Sequence, residues 1–76
     1  MKRSKIASNM SVLNMGSTAV LYSYATPVAG YDHEGAFKTE QWYSSTTTRH
    51  VNKYTAGDQA RVVEQSFIDN LVKHII

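Results

Sequence analysis

The side chains best suited to proton chemistry near neutral pH are the histidines, because imidazole titrates there without any help from its surroundings. They are His33, His50 and His74. A zinc site draws on ligands in short runs such as His-x-x-x-His, or on thiolates. These histidines are dispersed and the chain has no cysteine, so neither a metal centre nor a cofactor is expected, and thiol catalysis and disulfides are excluded together. Asp32-His33-Glu34 reads as a solvated turn. His50-x-Asn52-Lys53 has half of what a nuclease needs, an imidazole to activate water and an amide to orient it, but a metal or second base must complete it and none is suitably spaced. His50 with Thr46 and Thr47 makes a hydroxyl–imidazole pairing without an orienting carboxylate at predictable spacing. The expectation is a protein that is not an enzyme.

Binding chemistry is better represented. Thr46, Arg49, His50 and Lys53 share the polar face of one helical segment, where cations beside a helix start can meet phosphate. Tyr22, Tyr24, Tyr31, Phe37, Trp42, Tyr43 and Tyr54 are a supply of rings that could stack on bases. In so small a chain most of them are needed for the core. Trp42 stands apart, because the alternation of its strand puts it with Lys38 and Glu40. The candidate binding face is therefore Thr46, Arg49, His50, Lys53 and Trp42.

The placement of charge limits how far these cations can be read. The chain carries eight Lys and Arg against six Asp and Glu, but three of the cations are Lys2, Arg3 and Lys5. Residues 6–76 hold five (Lys38, Arg49, Lys53, Arg61, Lys73) against six acids (Asp32, Glu34, Glu40, Asp58, Glu64, Asp69), a net of −1. Polyanion affinity must then come from Lys2, Arg3 and Lys5 or from one local patch. Residues 1–9 are short, polar and charged and read as a flexible basic tail; 10–76 read as a single domain. Ser8, Asn9, Ser11 and Asn14 interrupt the apolar stretch that a signal peptide would need. No run is long enough to span a bilayer. A cytoplasmic protein that does not enter a membrane is expected.

The elements that position these residues follow from periodicity. Thr18 to Val28 is rich in β-branched and aromatic residues, with Val20, Tyr22 and Tyr24 on one face and Ala19, Leu21 and Ala25 on the other. Pro27 lies near its end, where a missing amide is tolerated. Gly30, Asp32 and Gly35 surround a polar turn, and Ala36 to Tyr43 alternates again, which predicts an antiparallel hairpin. Ser44 and Ser45 suit an N-cap ahead of a helix whose inner stripe is Thr47, Val51 and Tyr54, and Gly57 stops it. Beyond, the reading divides. Asp58 could cap one helix running to the end; alternatively Ala60–Glu64 is a short third strand and Ser66 with Asp69 caps a shorter helix, the preferred reading. Phe67, Ile68, Leu71, Val72 and Ile75 form a stripe that must be buried in either case, with Phe67, Leu71 and Ile75 expected on a sheet face containing Leu21 or Val20.

Leu21-Tyr22-Ser23-Tyr24, Thr26-Pro27-Val28-Ala29, Lys38-Thr39 and the run Tyr43 to Tyr54 resemble small uncharacterised proteins encoded by tailed bacteriophages. These often carry a Thr-Thr-x-x-His-Ile-Asn-Lys block. Ser66-Phe67-Ile68-Asp69-Asn70-Leu71 is similar to their C-terminal segment, although a proline commonly precedes that helix and Val63-Glu64-Gln65 stands here instead. The resemblance spans about residues 18–72. It implies a viral origin and a host-cell setting, and it brings no activity.

The expected architecture is α+β: a small antiparallel sheet, a hairpin plus a possible short third strand, packed against two short helices. A chain of this size without disulfide or metal leans on tight packing or on a partner. The expected function is that of a non-catalytic binding module acting by protein–protein contact, with a host protein or with itself as a homo-oligomer. The alternative is nucleic-acid binding through Lys2, Arg3 and Lys5 and the Arg49, His50 and Lys53 face.

Overall fold

Sheet and helices form three layers in the computed structural model, which describes residues 3–7, 9–56 and 59–73, for Arg3 the backbone alone. The strands are β1 (Arg3–Ala7), β2 (Met10–Asn14), β3 (Ala19–Ser23), β4 (Thr26–Asp32), β5 (Gly35–Thr39) and β6 (Arg61–Val63). The helices are α1 (Ser45–Thr55), between β5 and β6, and α2 (Gln65–Lys73), after β6. The strands lie in chain order in one six-stranded sheet. β1 to β5 run antiparallel, and β6 pairs with β5 in parallel. That parallel pair needs a crossover, and α1 supplies it.

The register of β3 shows why the helices lie on opposite faces. Successive strand residues point to opposite sides. Val20 joins a cluster with Phe37 of β5 and Ile68 of α2, flanked by Met15, Tyr22, Val63, Leu71 and Val72. Leu21 joins the other, with Met10, Val12, Val28, Ala29 and Val51 of α1. Val28 and its neighbour Ala29 both join the α1 side because the β3–β4 register shifts between Leu21 and Tyr22, and a bulge turns two consecutive side chains the same way. Pro27 sits beside this irregularity, before β4 begins to pair with β5 at Ala29, so no sheet bond to β5 is lost there. Its carbonyl accepts a hydrogen bond from Gln65 Nε2 at 2.8 Å, which ties the start of α2 to β4.

The α+β class stands, but the sheet is larger than expected and mixed. Thr18 to Val28 is two strands, not one: Tyr24 and Ala25 form the turn between β3 and β4, and Tyr24 takes φ 58°. Without Gly, Asn or Asp at that position, composition carries no sign of it. Gly30 belongs to β4, not to the turn, and β5 ends at Thr39. Trp42 and Tyr43 are therefore beyond the strand, and the strand face shared by Trp42, Lys38 and Glu40 does not exist. The segment read as a frayed tail contributes β1, in which Ser4, Lys5 and Ala7 pair with Val12, Ser11 and Met10. An edge strand is held by backbone bonds and needs few apolar side chains. β6 bears out the strand alternative for Ala60–Glu64 in its central residues.

Both helices differ in detail from their sequence reading. Ser44 is the N-cap of α1 as expected, and its Oγ accepts from the Thr47 amide. The buried stripe is Thr47, Val51 and Thr55, with Tyr54 half-buried beside it. The helix ends with Ala56 in the left-handed region at φ 52°; Gly57 lies outside the described residues. In α2, Ser66 and Asp69 are not a capping pair, because the helix already starts at Gln65 and Asp69 accepts instead from Gln65 Nε2 at 3.0 Å. Ile68 is the buried centre of α2, whereas Phe67 is 39% exposed and meets Phe37 edge-on at 5.6 Å. Ile75 lies outside the described residues.

Candidate binding site

Four polar side chains connect α1 to the sheet. The Ser44 hydroxyl donates to Thr47 Oγ1 at 3.2 Å, Thr47 Oγ1 lies 3.1 Å from Ser23 Oγ, and Ser23 Oγ lies 2.7 Å from His50 Nδ1. Together these contacts join Ser44, Thr47, Ser23 and His50 in one hydrogen-bonded chain. Ser23 is the member that sequence reasoning missed, since it lies more than twenty positions from the helix; only the β3 register brings it there.

This chain of hydroxyls contains a serine–imidazole contact. Ser23 is 2% exposed, so a substrate does not reach its oxygen. Nucleophilic catalysis also needs a third group to orient the base, and no carboxylate is bonded to His50 among the described residues. What the contact does is fix the ring of His50 against that of Tyr24, with centroids 5.8 Å apart and planes inclined at 47°. Tyr24 is itself 52% exposed.

Of the expected binding face, Arg49, His50 and Lys53 come together and line a cleft of about 310 Å³ with Ala7 and Met10. Lys5 lines another cleft of about 430 Å³ with Asn9, Met10, Ser11 and Tyr24, and Met10 lines both. Thr46 lines neither. Trp42 belongs to a separate groove of about 160 Å³ between the segment from Lys38 to Tyr43 and α1. Lys2 and the Arg3 side chain lie outside what the structure describes. Tyr24 is a second residue that periodicity did not select, though the sequence held one pertinent signal: residues 1–31 contain no Asp or Glu.

Among the described residues no three His, Asp or Glu gather as metal ligands; His74 and Asp58 are not among them. Two of the acids stand against Arg61. Asp32 Oδ1 accepts from Arg61 Nη2 at 2.6 Å, joining the β4–β5 hairpin to β6, and Glu34 stands 3.7 Å from Arg61 Nη1. Among the described residues no helix is long and apolar enough to cross a membrane.

Residues 1–70 match the model of a family described as being of unknown function, DUF8033. No curated protein matches the chain, and no solved structure does.

Proposed function

The chain belongs to DUF8033, a family of unknown function, and we propose that it is a non-catalytic binding module that contacts another protein through Trp42. The carrying observation is the exposure of that residue. At 69% exposed, Trp42 is the most exposed of the large apolar side chains among the described residues, and Tyr43 beside it is 39% exposed. Trp and Tyr dominate the energetic centres of protein interfaces, where a rigid ring fills a partner's pocket. The groove under Trp42 also includes Lys38, whose register partner Val62 is 62% exposed on β6. β6 is the last strand of the sheet among the described residues, and an edge strand is where a partner can add a strand.

The partner is a second copy of the chain or a protein of a host cell, the latter in keeping with the resemblance to phage proteins. Sedimentation equilibrium of wild type and Trp42→Ala addresses the first. Cross-linking in bacterial lysate, with and without nuclease, addresses the second. Association or a specific cross-link that survives nuclease and is lost in Trp42→Ala supports the reading. Contacts that vanish with nuclease, or persist undiminished in Trp42→Ala, contradict it.

A further inference from the structure

We infer that a second surface, sharing no lining residue with the Trp42 groove, binds single-stranded nucleic acid. It centres on the Tyr24 and His50 rings and the cleft that His50 lines with Arg49 and Lys53, with Lys5 in a second cleft beside Tyr24. The residues that line these clefts include Lys5, Arg49 and Lys53 and no Asp or Glu. Neither residues 1–31 nor residues 45–55 contain an acid, while the same segments carry Lys2, Arg3, Lys5, Arg49 and Lys53. The net charge of −1 over residues 6–76 thus conceals a segregation, with every Asp and Glu in the remaining segments. Such a surface attracts polyanions through phosphate contacts and counterion release.

An exposed ring distinguishes this surface from a merely basic one. Tyr24 occupies the left-handed region at φ 58°, a backbone state uncommon for aromatic residues, and its amide donates to the Asn9 carbonyl at 2.7 Å. The conformation costs energy and sets the ring outward at the turn. His50 is held beside it through Ser23. An aromatic platform flanked by cations is what successive unpaired bases stack upon, and stacking tolerates any base because each has a π-face. A duplex hides those faces, and polyglutamate has none.

The test uses the full chain with labelled oligothymidylate and oligouridylate, the duplex of oligothymidylate with oligoadenylate, and polyglutamate, each at low and physiological salt. The single strands should bind more tightly than duplex or polyglutamate. Their affinity should fall with salt at a log–log slope of about −0.7 per phosphate contacted. The exposed pair Arg49→Glu/Lys53→Glu should abolish binding, and Lys73→Glu on α2 should leave it unchanged. Tyr24→Asn removes the ring with a residue that tolerates positive φ, and should weaken binding roughly five- to hundred-fold. Circular dichroism and melting check that each variant is folded. Absence of binding at low salt, duplex or polyglutamate bound as tightly, equal loss in Lys73→Glu, or full affinity in folded Tyr24→Asn would overturn the inference. Should Tyr24→Asn unfold, the Arg49 and Lys53 pair and the comparison of single strand with duplex still decide it.

Discussion

At Gly30 even a methyl group has nowhere to go: a Cβ there would collide with the Ala19 carbonyl and the Phe37 ring. Gly30 pairs with Val20 on one side and Phe37 on the other, so its missing side chain lets the fully buried Phe37 ring lie across the sheet. Gly30→Ala should cost about 1–3 kcal/mol by overpacking, read from urea unfolding; an unchanged midpoint would show that Phe37 is free to move. Asp32 illustrates an electrostatic dependence instead. Burial pushes its carboxyl up, but the Arg61 hydrogen bond, the Glu34 amide and the charges of Arg61 and His33 outweigh this and leave it below its ordinary range. A carboxyl lowered by folding contributes stability that is present above its unfolded value of about 3.9 and lost as pH falls through the folded value. Asp32→Asn should therefore melt below wild type near neutrality, and the gap should narrow as pH falls from about 4 toward 2. A gap independent of pH would mean that the ion pair is immaterial.

The helices allow a sharper comparison of sequence with structure. α1 was legible because Ser44 is a local cap and Thr47 and Val51 recur at helical spacing; removing the cap with Ser44→Ala should cost about 0.5–2 kcal/mol. The position of α2 was also legible, but its inner face was not, since five apolar residues in nine positions admit more than one stripe. Ile68 is fully buried while Leu71 is half-buried, so Ile68→Ala should cost about 2–5 kcal/mol and Leu71→Ala less. The reverse order would place Leu71 at the centre. The strands were harder to read. β3 and β4 merged in the sequence because Tyr24 makes a turn without a turn residue, and β1 escaped because backbone pairing leaves no apolar period. The candidate site was half legible for the same reason. Arg49, His50 and Lys53 are neighbours on one helix, whereas Ser23, Tyr24 and Met10 reach them only through the sheet register.

Taken whole, the molecule separates its charges and its apolar anchors. Cations without acids occupy β1 and α1, and the acids lie in the β4–β5 hairpin, the loop after β5, the segment before β6, the link from β6 to α2 and the middle of α2. Trp42 stands on the groove between that loop and α1. Trp42 is 69% exposed there, and the proposed partner would cover it. Trp42 is also the single tryptophan of the chain, so its fluorescence reports on that surface alone. The most direct measurement is the emission of Trp42 as protein concentration is raised, and again as a cross-linked host partner is added. Burial of the indole against a second copy or the partner shifts the emission to shorter wavelength, saturably and in step with association measured by sedimentation. Emission that stays that of a solvated indole while association proceeds would contradict the account.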